Sequence, residues 1–261
     1  IVPLSSTSGE GIPEFIQTLQ NLSADIPSHA ASGIFRLPVD RVFTIKGFGT
    51  VITGTLITGS VSVGDTIMIY PSLVTSKVRG LQVHDENVQT AVAGMRTAIN
   101  FQGLEKAFIN RGDILSMDGS LKLSYMLDVS FQYLSSNRKS FKNRTRIRFH
   151  AGTSEIMGII LLLDQDELSP GKEAMAQIRL DTPVVLVSAD RFVIRSYSPV
   201  RTIGGGHVLN PIPEKHKRHK PEVLKMLDSI VNSSDAEIIC HFIDAAGFKG
   251  VSFSDLKIMG K

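Results

Sequence analysis

The chain has 261 residues, 42% of them apolar, with 28 Lys and Arg against 25 Asp and Glu and a net charge of +3. That length allows two or three compact domains, and that apolar content excludes global disorder. A single cysteine, Cys240, excludes a disulfide framework, and the longest apolar run, Ile159 to Leu163, is too short to cross a bilayer, so a reducing, cytoplasmic setting without membrane contact is expected.

Ile1 to Leu4 reads as a short strand. It leads through the turn "SSTSGEG" to a helix opened by Pro13, with Phe15, Ile16, Leu19 and Leu22 on one face. This unit is too small to fold alone. The chain opens on Ile1 and stops at "IMGK", and it reads as a piece of a longer protein. Residues 23–33, "SADIPSHAASG", read as a linker.

From Ile34 to about Ser120 the pattern is all-β. Strands are expected at Phe35–Leu37, Asp40–Ile45, Gly49–Ile57, Thr66–Tyr70, Ser76–Val83, Arg96–Phe101 and Asp113–Ser116. Turn signals at short intervals between them suggest a closed barrel or a sandwich. From Lys122 to about Asn210 the pattern repeats, with strands at Tyr125–Tyr133, Arg144–His150, Ser154–Leu163, Glu173–Leu180 and Arg191–Arg195 and around Val208. A basic linker, "LNPIPEKHKRHKP", follows. Val223, Leu224, Met226, Leu227 and Ile230 then fall at helical spacing, and Ile238–Ala246 reads as a second helix. "GFKGVSFSDL" begins a third, an order compatible with the start of a winged helix. The fold class is therefore mainly β. Two consecutive β-barrels carry a short α/β remnant in front and a helical, winged-helix-like segment behind. The expected divisions are 1–31, 32–120, 121–212 and 213–261.

The glycines of Val39–Ile69 do not cradle a phosphate. Such a loop needs glycines between a strand and a helix whose N-terminus supplies N–H donors. Gly47 and Gly49 open no helix, because Thr50 to Leu56 is β-branched apart from Gly54. Gly204–Gly206 is followed by His207 and another strand, and no G-x-x-x-x-G-K-[ST] occurs. These glycines serve turns, bulges and barrel corners. No nucleophile–base pair and no metal spacing is evident, so neither a catalytic residue nor a metal ligand is assigned. His216 and His219 stand among cations, which oppose a metal ion, and suit a linker or a phosphate contact better. Cys240 reads as core, beside Ile238, Ile239 and Phe242.

Four segments, in order, carry a resemblance. "PVDRVFTIKGFGTVITGTLITGSVSVGD" and "AVAGMRTAINFQGLEKAFINRGDIL" resemble the opening and the end of domain II of the translational GTPases related to elongation factor Tu. "VIRSYSPVRTIGGGHVLNP" resembles the closing strands of their domain III, and "VPLSSTSGEGI" the last guanine-contacting loop of their G domain. Within that superfamily, "IFRLPVDRVFTIKGFGTVITGT", "RSYSPVRTIGGG" and the helical extension resemble the selenocysteine-specific elongation factors.

The resemblance implies a factor that binds selenocysteinyl-tRNA in its GTP form and delivers it to the ribosome at UGA codons. GTP, Mg and hydrolysis belong to a G domain of the longer protein, and this chain lacks the hydrolysing motifs and needs no cofactor of its own. Ser5, Ser6 and Thr7 are then a remnant of the guanine loop. A selenoprotein mRNA hairpin would be bound by winged helices beyond this chain, and the protein is expected to be a monomer. Alignment places Asp40, Arg41, Phe43 and Arg96 around the aminoacyl pocket, with His84 a candidate for the same end of the barrel. A selenol is far more acidic than a thiol or a hydroxyl, so a pocket that selects it calls for fixed positive charge, which arginine supplies. As neighbours in a strand, Asp40 and Arg41 are expected on opposite faces.

The run from Asn137 to Ser154 holds six basic residues and no acidic one. Alternation would set Arg144, Arg146 and Arg148 on one strand face, which the resemblance assigns to the tRNA backbone. Arg195 and Arg201 are added to that surface. Two alternatives remain at this level. One is a translational GTPase with a different aminoacyl-tRNA. The other is a GTPase regulatory subunit whose barrels dock a protein partner.

Overall fold

The computed structural model describes residues 1–24, 33–47 and 49–260. The expected linker at 23–33 lies mostly outside the described residues, as does the expected division after residue 31.

Helix α1 (Ile12–Ala24) buries none of its side chains, and its apolar stripe of Phe15, Ile16, Leu19 and Leu22 is exposed. The first β unit comprises β1 (Leu37–Ile45), β2 (Gly49–Thr55), β3 (Ser60–Ser62), β4 (Thr66–Tyr70), β5 (Val74–Val83), β6 (Glu86–Val88), β7 (Thr90–Val92), β8 (Arg96–Phe101) and β9 (Ile114–Met117). Six of these close a barrel in the order β1–β2–β8–β5–β4–β9, while β6 extends β5 as a hairpin and β3 pairs with β7. Alternation drives the closure. One side chain in two, including Ile52, Ile67, Leu81, Ile99, Phe101 and Leu115, is buried inside. The short strands β3, β6 and β7 were not expected, because three residues carry too little alternation to be recognised.

The second barrel comprises β10 (Ser124–Tyr133), β11 (Phe141–Lys142), β12 (Thr145–Ala151), β13 (Ser154–Leu162), β14 (Glu167–Leu168), β15 (Glu173–Val184), β16 (Arg191–Ser196) and β17 (Thr202–Asn210). It closes in the order β10–β15–β13–β12–β16–β17 around Phe131, Ile147, Phe149, Ile160, Ile178 and Ile194. Gly204–Gly206 lies inside β17 rather than in a turn. A Cβ on Gly206 would stand 1.8 Å from the carbonyl oxygen of Ser130 on β10, so bare backbone is needed where these strands meet. Gly206→Ala is therefore expected to cost about 2–3 kcal/mol of stability, as overpacking of a rigid site does. Urea unfolding checks this, and an unchanged midpoint would show that the strands can part.

Helices α2 (Pro221–Asn232), α3 (Asp235–Ala246) and α4 (Phe253–Met259) complete the chain. Pro221 stands at the first turn of α2, and α3 starts at a capping box of Ser234 and Glu237. Leu227, Ile230, Ile238, Phe242, Ile258 and Met259 form a third core with Tyr70 and Ile114 of the first barrel and Leu163, Val185 and Leu209 of the second. The helices thus pack where the barrels meet. Cys240 is exposed, contrary to its reading as core. Ile238 and Phe242 are one turn apart and set the buried face of α3, and Cys240 lies midway between them on the far side.

The barrels are also joined by a buried ion pair. Arg36 Nη1 donates to Asp190 Oδ2 at 2.6 Å, with side-chain exposures of 7% and 17%. Arg36 Nε donates to Thr58 Oγ1, and the same Asp190 oxygen accepts from the Val187 N–H.

Candidate functional site

Strand β1 carries the charged pair. Val39 pairs with Gly54 but Arg41 pairs with Thr53, so one residue is inserted between them. Val39 and Val42 both face the core although they are three apart, a spacing that a regular strand cannot give. This bulge re-aims Asp40, which joins Arg41 on the outer side of the sheet. The expectation of opposite faces is thereby corrected.

Register assembles the rest. Arg41, Thr53, Ala98 and Gln82 form one outward row across β1, β2, β8 and β5, and Phe43, Val51, Asn100 and Gly80 form the next. Arg96 lies two residues before Ala98 on the same face. Its Nη1 donates to Asp40 Oδ2 at 3.3 Å, with 57% of the Arg96 side chain and 29% of the Asp40 side chain exposed. Arg41 has no ion-pair partner among the described residues. The structure therefore brings Asp40 and Arg96 together, sets Arg41 beside them, and leaves both guanidinium groups open to solvent.

Two adjoining clefts lie on this face. The smaller, about 290 Å3, is lined by Thr53, Gln82, His84, Asp85, Arg96, Thr97 and Ala98. The larger, about 500 Å3, includes Phe43, Ile45, Val51, Arg79, Asn87 and Asn100. Both touch Thr53, Gln82, Asp85 and Ala98. His84 reaches the site because His84 and Asp85, both at positive φ, make the tight turn between β5 and β6. Thr53 Oγ1 is buried without a hydrogen-bond partner among the described residues. Sequence reasoning passed over Thr53, Gln82 and Arg79, which no local motif marks. The pairing register alone brings them to Phe43 and Arg96. A further cleft of about 770 Å3, including Phe35, Ser60, Phe253 and Lys257, lies between the first barrel and α4, away from these groups.

The basic run is less uniform than its sequence. Arg144 stands at positive φ in the turn before β12, so it does not share the face of Arg146 and Arg148. Arg146 makes a two-pronged pair with Asp181, which holds its guanidinium more firmly protonated. Arg148 pairs with Glu155, whose carboxyl it holds below the ordinary range, and lies 5.8 Å over the Tyr197 ring. Burial lowers the pKa of His150, which removes it from the cationic set. Arg195 faces Arg148 across the β12–β16 pairing, and Arg201 shares a cleft with Lys139, Lys142 and Ser196. Among the described residues Arg195 and Arg201 have no ion pair, so they are the unneutralised members of this surface. Lys139 and Lys142 join them, an addition that sequence reasoning did not make.

Ser5, Ser6 and Thr7 occupy an exposed turn closed by bonds from Ser5 N–H to the Glu10 carbonyl and from Gly9 N–H to the Ser5 carbonyl. This turn does not fit a nucleotide–Mg site by itself, and no group of three His, Cys, Asp or Glu side chains able to hold a metal occurs among the described residues. No described helix is long and apolar enough to cross a membrane.

Known proteins resemble this chain in sequence and in fold. Residues 129–215 match the family model of the selenocysteine-specific elongation factor β-barrel domain, and residues 49–116 that of elongation factor Tu domain 2. The selenocysteine-specific elongation factor of Desulfomicrobium baculatum is 41% identical over 99% of this chain and 41% of its own length. That of Escherichia coli (strain K12) is 32% identical over 90% of this chain and 36% of its own length. The crystal structure of a bacterial selenocysteine-specific elongation factor, EF-Sec, superposes with a TM-score of 0.81 at 25% identity, covering 97% of this chain and 40% of the other. The chain thus spans about two-fifths of the length of these relatives.

Proposed function

The chain belongs to the selenocysteine-specific elongation factor family, and from that premise we propose that its first barrel holds the aminoacyl end of selenocysteinyl-tRNA while its second takes the RNA backbone. In the longer protein this serves GTP-dependent delivery to the ribosome at recoded UGA codons. GTP, Mg and the mRNA hairpin are engaged outside this chain, and the factor acts as a monomer in the cytoplasm.

The carrying observation is the Asp40–Arg96 pair with Arg41 beside it on one open sheet face. A selenolate meets two guanidinium groups there, and the Asp40 carboxylate is left to receive the α-amino group. A serine hydroxyl in the same place neutralises neither arginine, and an unmet charged donor disfavours the wrong ligand. The amino acid is esterified to a nucleoside, so its pocket needs a cleft next to it. The cleft at Phe43, Ile45 and Val51 is apolar enough to take a base and shares a wall with the charged site. On the second barrel, Arg195 and Arg201 with Lys139 and Lys142 offer charge to phosphates without first breaking a protein ion pair. Arg146 and Arg148 must exchange a carboxylate for a phosphate, and Arg144 contributes from the turn.

The test uses the full-length protein with GTP. One tRNA body is charged with selenocysteine or with serine, and both affinities are measured at one salt concentration. Equal affinities would remove the selenocysteine assignment and point to another cargo, and no tRNA binding at all would point to a protein-docking role. A second measurement reads the backbone face. Replacing Arg195 and Arg201 together by Ala is expected to flatten the slope of log K against log salt by about 2, near 0.9 per lost phosphate contact. The preference between the two aminoacyl groups should not move. An unchanged slope would exclude these residues from the RNA face.

A further inference from the structure

The basic run Glu214–Lys220 does not lie free. It is bonded to the second barrel at two places. Asp128 of β10 is fully buried, and its Oδ2 lies 2.7 Å from His216 Nε2. Its Oδ1 accepts from Gln177 Nε2 of β15 at 3.0 Å, and the same amide nitrogen donates to the Glu214 carbonyl at 2.9 Å. Further along, Arg218 donates to the carbonyls of Leu162 and Gln165 and to Asp166, while the His219 N–H donates to the Leu163 carbonyl. Helix α2 begins at Pro221, immediately after this strap.

A buried carboxylate on a barrel strand is costly unless it is paired. Asp128 is not needed to close the barrel, because the neighbouring inward positions Leu127 and Val129 are apolar. Both oxygens of Asp128 are instead committed to the strap, one directly and one through Gln177. We propose that Asp128, Gln177 and His216 form a latch that docks the strap on the second barrel, sets the position of the C-terminal helices, and weakens as His216 loses its proton. This goes beyond the choice of cargo and does not depend on it. His216 and Asp128 are positioning residues in this role.

The sign follows from the partners. The Asp128 carboxylate raises the His216 pKa above its ordinary value, with a smaller push from Glu214 and burial acting against both. The other groups around the pair, Gln177 on β15 and Asn210 opposite Asp128 on β17, are neutral. A raised pKa in the docked state means that the stabilisation is fully present below the ordinary imidazole value of about 6.5. It is lost as the pH rises through the docked value.

The test is tryptic cleavage after Lys215 and Lys217 in the 261-residue chain, each rate divided by that of a free peptide spanning the strap, so that the protease's own pH profile cancels. From about pH 6 to about pH 9 the normalised rate of the wild type is expected to rise severalfold, because the docked state is favoured only while His216 keeps its proton. His216→Gln keeps an amide donor for Asp128 without a titration, and its normalised rate should be flat across that range. Asp128→Ala should be cleaved about tenfold faster than wild type at pH 6, with no pH dependence. A flat wild-type profile, or a rising one in His216→Gln, overturns the latch. Those two proteins decide the matter even where Asp128→Ala does not fold.

Discussion

Arg96→Ala, in the full-length protein with GTP, is expected to erase most of the preference for selenocysteinyl- over seryl-tRNA, a change of ten- to a hundredfold or about 1.4–3 kcal/mol. Two effects add. On the proposed reading, the substitution removes one of the two guanidinium groups offered to the selenolate. It also frees Asp40, whose carboxylate in the folded chain accepts from Arg96 Nη1 at 3.3 Å. An unpaired carboxylate beside a selenolate repels it, so the loss should exceed that of Arg41→Ala, which leaves the Asp40–Arg96 pair intact. Arg96→Ala combined with Asp40→Asn removes the repulsion and should recover part of the preference. The exposure of Arg96, at 57%, limits the effect through solvent screening until cargo covers it. Affinities for both charged tRNAs, measured for the three variants at one salt concentration, decide the matter. If Arg96→Ala keeps the wild-type ratio, Arg96 takes no part in selecting the side chain.

The largest stability effect is expected between the barrels. Arg36→Met leaves the Asp190 carboxylate largely buried with, among the described residues, only the Val187 N–H as partner, and should destabilise by about 3–5 kcal/mol. Much of that cost is the stranded charge rather than the lost attraction. Asp190→Asn added to Arg36→Met keeps an acceptor for Val187 and removes the charge, so it should recover more than half of the loss. Chemical unfolding of the two variants separates these terms. A loss below about 1 kcal/mol in Arg36→Met would place the pair among screened surface contacts. Fixed orientation of the two barrels also bears on the proposed function, in which an aminoacyl site on one and a backbone face on the other would meet a single tRNA.

Much of the fold was legible in the sequence because barrel strands carry a local signal. β-Branched residues marked β2, alternation marked β12, and turn signals at short intervals separated the strands. The resemblance supplied Asp40, Arg41, Phe43 and Arg96 as one group, which local pattern could not have done across 56 residues. Three things were not legible. A bulge adds one residue and turns Asp40 outward, and neither its neighbours nor its composition announces it. Cys240 was misjudged because apolar neighbours in sequence do not share a face when each helical residue turns through a third of a circle or so. Arg144 was assigned to a strand face that a turn at positive φ withholds from it.

The sequence by itself determined the two barrels, their order, the helices behind them and the family, because these rest on periodicity and on contiguous motifs. The tertiary structure alone decided which charges are already spent. Arg146, Arg148, Arg218 and His216 look like free cations in the chain, yet the fold gives each an acidic partner 7 to 88 residues away. Charge is a property of a residue, but availability for a ligand depends on what lies across the sheet. Pairing register, bulges and the path of the strap set that, and all three are long-range.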